Sequence, residues 1–438
     1  MHAERLLKYI FFILLVIIPF HIGGTAPRHV LSVLIIITCF SAITSSGKNK
    51  LSEACTLTRE FFRHPLSWAL GFLFVTALIS IFMSPDPKYS LRIFCNEYLL
   101  NFSMFISLLL FSEKYGRKIN WLKIVTAANV VFLIFYLGLM SQWLVSQGEF
   151  WFLDTDTLDI DTNVESASIG DRIFIFSYAN TLFNGIKHTS IYLTLLVAVA
   201  FIYLVKHQHK IRSLILLLVN LFALISTTRR GTILSVSVGM AASSLFYSSA
   251  KRYFAIFSLL FCLTVSALFI SDKTQHFIRE DWKLMFQGEV RKAKEMGGSI
   301  PLRIYTYLTF TKEVLKHPFT GTGLGRRNIK RLMPDIIKEA GLVHGHNAFL
   351  ELAIETGIQG ALALLITIII QAKMLWSCWK DDDHPEIKGL MATSLLFMIM
   401  FWGTNMFTDG FRHGSSTLYW LFMAVPTGIA YADVQRNA

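Results

Sequence analysis

Apolar runs recur from one end of this chain to the other, each closed by polar punctuation, and that pattern leaves few folds open. They occupy residues 9–20, 30–40, 68–83, 98–111 and 121–145, then 189–205, 214–226, 232–247 and 253–270, and finally 348–376, 390–407 and 418–431. A helix needs about 20 residues to cross hydrocarbon, and flanking residues extend the shorter runs towards that length. Inside lipid the backbone must satisfy its own polar groups, which an α-helix does within a single segment. Composition agrees. Charged residues make up 16% of the chain, where a soluble domain carries about 25%. The expected fold is an all-α polytopic membrane protein with about twelve transmembrane helices, forming one membrane domain over residues 1–438.

Short-loop cations set the expected orientation. Lys48, Lys50, Arg59 and Arg63 fall in one loop, and Lys114, Arg117 and Lys118 in the next but one. Lys206, Lys210 and Arg212, then Lys251 and Arg252, continue the alternation. The positive-inside rule therefore puts both termini in the cytoplasm. The first run, with Arg5 and Lys8 before it, reads as a retained signal anchor. Two long segments fall outside: an acidic one at 147–187 and a basic one at 271–345. Long loops translocate whatever their charge, so the basic segment is compatible with this topology. Its charge calls for an anionic partner at the outer leaflet. The +12 net charge fits association with membrane lipids and glycolipids rather than nucleic acid, because much of it faces inward as topology signal. None of Cys39, Cys55, Cys95, Cys262 and Cys378 lies in a long external loop, so no structural disulfide is expected.

Within the basic segment, residues 301–316 place Ile304, Tyr307, Leu308 and Leu315 at helical spacing, with Pro301 in the first turn and Pro318 after the end. A second helix is expected around 328–340, interrupted or begun at Pro334. Both would lie on the membrane surface and roof a cavity in the bundle.

The segment ends at His346-Asn347, which opens an apolar helix running through Gly357 and Gly360. A histidine at a membrane boundary exchanges protons near neutral pH. In a first helical turn the dipole disfavours imidazolium and readies the ring to accept a proton. An isolated histidine there more often just hydrogen-bonds a neighbour. Gly357 and Gly360, with Ala361, read as close helix packing on the face that carries His346. Glu351 and Glu355, one turn apart, are carboxylates at membrane depth, which usually face a cavity or a partner such as an arginine. Glu97, with Asn96 and Asn101, poses the same question in an earlier run.

Arg229-Arg230-Gly231 lies at the external end between two runs, and Arg303 lies in the basic segment. Guanidinium groups bind phosphate oxygens through paired donors, although either arginine alone also reads as snorkelling to headgroups. Gly321-Thr-Gly323-Leu-Gly325 has no preceding strand and makes a poor nucleotide loop. It reads instead as a flexible turn setting Arg326 and Arg327 beside a pyrophosphate. His344 and His346 lack further ligands at zinc spacing, so no metal is assigned to them. The Asp154-Thr-Asp156 pattern in the acidic segment, and Asp409, Arg412 and His413 near the last run, remain weaker candidates.

His346-Asn347, nine residues, then Gly357-x-x-Gly360 resembles the signature of the bacterial O-antigen ligases, within the wider Wzy-type ligase and polymerase superfamily. The long segment just before the motif, the Arg-Gly at an external helix end and the arginine in the segment add to the resemblance. It implies a GT-C-like glycosyltransferase of the bacterial inner membrane, with a large helical periplasmic loop before the motif helix and a site facing the periplasm. It implies no cofactor and no metal. The implied donor is an undecaprenyl-pyrophosphate-linked polysaccharide, and the implied acceptor is lipid A-core. His346 would be the general base. Arg230 and Arg303 would bind the pyrophosphate, with Arg229 competing for the role of Arg230. Transfer would invert the anomeric carbon. An O-antigen polymerase or protein O-oligosaccharyltransferase shares parts of the signature. A transporter of lipid-linked sugars would instead spread charge through both membrane halves.

Overall fold

A computed structural model of the chain describes residues 2–19, 26–44, 50–145, 186–206, 210–226, 230–247, 299–333, 345–408, 411 and 413–437. Among these residues there is helix and no strand. In chain order the helices are α1 (His2–Ile17), α2 (Ala26–Thr44), α3 (Lys50–Arg63), α4 (Pro65–Phe82), α5 (Pro87–Lys118), α6 (Trp121–Val145), α7 (Ile186–Val205), α8 (Lys210–Ser226) and α9 (Arg230–Ala242). After a gap come α10 (Ser299–Lys316), α11 (Arg326–Leu332), α12 (Ala348–Thr356), α13 (Ile358–Asp381), α14 (Pro385–Asn405) and α15 (His413–Asn437).

Six described segments are long and apolar enough to cross a membrane: α2, α4, α5, the first part of α6, α13 and α14. Residues 189–205 and 231–245 form shorter apolar helices. Among the described residues the structure is all-helical, with several segments apolar enough for a multi-pass membrane protein, while the run 253–270 lies outside them. Several helices begin where the sequence predisposes them to. Pro65, Pro87 and Pro385 each occupy a first helical position, where the missing amide hydrogen costs nothing. His64 Nδ1 caps α4 by accepting from the Leu66 amide at 3.1 Å, and Asp86 caps α5 by accepting from Tyr89 at 3.2 Å.

Apolar character all round a helix predicts burial on every side. In α7 every side chain from Thr189 to Ile202 is buried, and in α15 every residue from Gly414 to Ala432 is buried. Around this centre, α15 packs along α5, α14 lies against α7 and α9, and α13 lies against α4, α14 and α15. The outer faces of α4 and α13 expose Trp68, Phe72, Phe82, Leu362, Ile366 and Ile369. Large side chains of this kind on one face are what a lipid-facing surface requires. Cys39, Cys95 and Cys378 are free thiols.

At the end of the bundle where α5, α13 and α15 finish, Arg117 ties three helices together. Its guanidinium meets Asp382 at 2.5 Å and both oxygens of Asp433 at 2.6 Å. Cys378 donates to Asp433 at 3.0 Å. Removing the arginine strands two carboxylates, one of them only 2% exposed. Arg117→Ala is expected to destabilise the bundle by roughly 2–4 kcal/mol, slightly less than the loss from a fully buried pair, because the arginine is partly solvated. Thermal unfolding in detergent measures this, and an unchanged midpoint refutes it.

Candidate active site

The sequence predicts one apolar helix over 348–376. The structure breaks it in two at Gly357, which has φ +86° and belongs to neither helix interior. The break gives each part of the motif a physical role. Asn347 is the N-cap of α12: its backbone is extended, and its Oδ1 accepts from the amides of Phe349 at 3.0 Å and Leu350 at 3.1 Å. The nine intervening residues are α12 itself. Gly357 makes the left-handed turn out of it, donating to the Ala353 carbonyl at 2.9 Å. Gly360 sits against Thr356 and, at 3.3 Å from where a Cβ would stand, Thr76 of α4. Close packing at Gly360 therefore holds, but Gly357 is a turn rather than a packing glycine, and the two do not share a helical face with His346.

His346 is also displaced from its expected position in the first turn. It precedes the cap and has φ +48°, left-handed in a residue with a Cβ, so the cap residue and not the histidine enters the helix. Non-glycine residues held this way cluster at functional sites.

The glycine segment 321–325 is a wedge rather than a flexible turn. All five residues are buried, and Gly321, Gly323 and Gly325 have φ of +63°, +92° and +96°. A Cβ at Gly323 would stand 2.5 Å from Ser84, and one at Gly325 would stand 2.5 Å from Tyr89. The end of an α-helix leaves carbonyls without partners, and this segment supplies them. The Thr322 amide donates to Ile354 O at 2.7 Å, the Gly323 amide donates to Glu355 O at 3.1 Å, and the Pro318 carbonyl accepts from the Ile358 amide at 2.8 Å. On its other side, Ser90 Oγ and Asn328 Nδ2 donate to Leu324 O at 2.9 and 2.8 Å. The cations that follow are turned onto acids. Arg326 meets Glu351 at 3.2 Å, and Arg327 and Arg331 approach Asp86 at 3.7 and 3.3 Å. Glu351 thus has the arginine partner expected for it. Glu355 accepts from the Gly325 amide at 2.9 Å.

Helix α10 forms as predicted from residue 301 onwards, and it buries one stripe against the protein. Thr306, Phe310 and Val314 face inward, while Leu308 and Leu315 are exposed. Phe310 and Val314 pack with Ile329, Met333, Ala353 and Ile354, so α10 lies on the motif helix. Of the second helix expected around 328–340, the described part is α11, which runs from Arg326 to Leu332; residues 334–344 lie outside the described residues.

Three chain segments converge on the turn after α14. Asn347 Nδ2 donates to Met406 O at 3.3 Å. Tyr307 Oη lies 3.1 Å from His346 O and 3.3 Å from Met406 O. A Cβ at Gly231 would stand 3.0 Å from Phe407. The structure therefore brings together the backbone of His346, the start of α9 at Arg230-Gly231, and the part of α10 one turn after Arg303. Arg229, His344, Asp409, Arg412 and the 154–161 tract lie outside the described residues.

Beside this junction is a cavity of about 570 Å³, open mouth included, lined in part by Glu97, Glu351 and Glu355 with Tyr98, Phe411 and Ser416. Glu97 lies in a π-helical turn of α5, Phe94–Leu99, a local widening common at functional sites. Its Oε2 accepts from Ser416 at 3.1 Å, and Asn101 bridges its backbone to Ser416 and Thr417. Arg28, near the start of α2, is 7% exposed and electrostatically coupled to Glu97, with its Nε lacking a hydrogen-bond partner. Sequence reasoning passed over Arg28 because a cation at the edge of an apolar run reads as a topology flank. In the structure it lies two residues inside α2.

Residues 214–365 match the family model Wzy_C, described as O-antigen ligase, a stretch that takes in α8 through α12 and the start of α13. The motif at 346–360 and the arginines at 229, 230 and 303 all fall within it. The match covers about a third of the chain and is a likeness to that family over those residues. No curated protein matches the chain.

Gly357→Ala is expected to cost roughly 1–3 kcal/mol, from its positive φ and from the Phe319 carbonyl carbon 2.9 Å away from the new Cβ. Gly321→Ala should do at least as much, because its Cβ would overlap the Glu355 carbonyl. Both variants should lose thermal stability and transfer activity together. A Gly321→Ala protein with wild-type stability contradicts the wedge.

Proposed function

We propose that this protein is an O-antigen ligase, moving a polysaccharide from undecaprenyl pyrophosphate to a sugar of lipid A-core at the periplasmic face of the inner membrane. The observation that carries the proposal is the convergence at Met406–Phe407 of His346-Asn347, the Arg230 helix start and the α10 segment next to Arg303, all but the turn within the family match.

In this reading His346 takes the proton from the acceptor hydroxyl as its oxygen bonds to the anomeric carbon of the donor sugar. The bond from that carbon to the pyrophosphate oxygen breaks, its electron pair leaves with the diphosphate, and the configuration inverts. Negative charge builds on the leaving group, where Arg230 and Arg303 stabilise it, with Arg229 the alternative to Arg230. Pyrophosphate is already a good leaving group, so fixed cations and one positioned base suffice without a metal. The left-handed His346 backbone, anchored by the Asn347 cap on one side and accepting from Tyr307, would hold the ring's attachment point fixed while the substrates exchange.

His346→Ala should insert and fold normally while turnover falls roughly 10²–10⁴-fold, the range for loss of a general base. Wild-type rates would remove it from the mechanism. Arg303→Lys keeps the charge and loses the fork, so donor affinity or turnover should fall about tenfold or more. Unaltered values argue against a pyrophosphate contact there. Excess chelator should leave activity intact, and inactivation would instead favour a metal role such as the Asp154–Asp156 pattern offers. Lipopolysaccharide profiles of a deletion strain separate ligase from polymerase. Loss of all capped chains with lipid-linked polymer accumulating marks a ligase, whereas a single repeat on the core marks a polymerase.

A further inference from the structure

The cavity next to the motif has the wrong charge for a pyrophosphate. Among the described residues its lining offers three carboxylates, Glu97, Glu351 and Glu355, and no lysine, arginine or histidine. Arg326, paired with Glu351, and Arg28, coupled to Glu97, lie outside the lining, so the groups presented to a ligand are acceptors, a poor match for a diphosphate. Each carboxylate is held by the protein: Glu97 by Ser416, Glu351 by Arg326 and Glu355 by the Gly325 amide. Fixed acceptors of this kind suit hydroxyl donors, because O–H to carboxylate bonds are short, strong and directional. Tyr98 and Phe411 are half-buried beside them, backed by the buried Phe102 and Trp420. An aromatic wall facing a set of acceptors matches a sugar ring, which has apolar C–H faces and a rim of hydroxyls.

We propose that this cavity is a sugar subsite, seating a neutral or amino-substituted pyranose of one glycan substrate against Tyr98 and Phe411, with its hydroxyls donating to Glu97, Glu351 and Glu355. This rests on the glycosyl-transfer reading and sharpens it: the pyrophosphate stays on the arginine side of the Met406 junction, and the ring enters the acidic side. Ala348, two residues from His346, lines the cavity. Acidic or phosphorylated sugars are excluded from the subsite by the same carboxylates. A site built to accept from sugar hydroxyls also discriminates sharply against rings that lack them.

The full chain in lipid nanodiscs tests this with three ligands: undecaprenyl pyrophosphate without glycan, the same carrier bearing the host glycan, and lipid A-core without O-antigen. Glu97→Gln removes charge from one acceptor without changing its size, and Tyr98→Leu removes part of the aromatic wall while leaving every carboxylate. Thermal melting verifies each fold, and either variant alone is a sufficient readout. Each is expected to weaken one of the two glycan-bearing ligands about tenfold or more, the scale of a hydrogen bond to a charged group. Glycan-free carrier should bind within about twofold of wild type in both. Whether donor or lipid A-core suffers assigns the ring to that substrate. Unchanged affinity for both glycan ligands, or an equal loss for the glycan-free carrier, overturns the subsite alone. A wild-type chain that binds neither glycan ligand overturns the glycosyl-transfer reading, and the subsite with it.

Discussion

The end of helix α12 depends on hydrogen bonds it cannot make for itself. Cutting an apolar helix at Gly357 strands carbonyls at its end and an amide at the start of the next helix, in a setting where water is scarce. The buried 318–325 segment satisfies them at Ile354, Glu355 and Ile358. That pairing lets α12 stop after nine residues and lets α13 set off in a new direction along α4. The three glycines are required because the segment must approach backbone to backbone, with positive φ at three of five positions.

Once the break is held, the rest of the site follows by geometry. A short capped helix has a fixed N-terminus, and Asn347 fixes it twice, by accepting from α12 amides and by donating to Met406. The Met406–Phe407 turn is in turn met by Tyr307 and by Gly231. Helices α9, α10 and α12 are thereby tied to a single point. Beside that point Glu97, Glu351 and Glu355 line one cavity, with Glu351 paired to Arg326 and Glu97 electrostatically coupled to Arg28.

Much of the architecture was legible beforehand because bilayer physics writes it into composition. An apolar run of sufficient length reads as a helix, and α4, α6 and α14 appear where the runs lie, while the run 348–376 is divided between α12 and α13. The loop helix was visible from Pro301 and Pro318, although the lateral face it buries was not. Leu308 and Leu315 are exposed, as a helix on a membrane surface allows, while Phe310 and Val314 on the buried stripe meet α12. The acid pairing of Glu351 was anticipated in kind, but its partner, Arg326, lies 25 residues away across the glycine wedge.

Local sequence was enough for the all-helical fold, the motif spacing and the residue types suited to proton and phosphate chemistry, because each depends on neighbours in the chain or on the surrounding lipid. The Gly357 break, the left-handed His346, the wedge and the acid cavity are different in kind. They arise where segments far apart in sequence meet, Ser90 with Leu324, Asn347 with Met406, Glu97 with Ser416, and the energy that holds them belongs to those contacts. A periodicity read along one segment carries no trace of such contacts, so Gly357 looked like one more small residue in a long helix until its partners were in place.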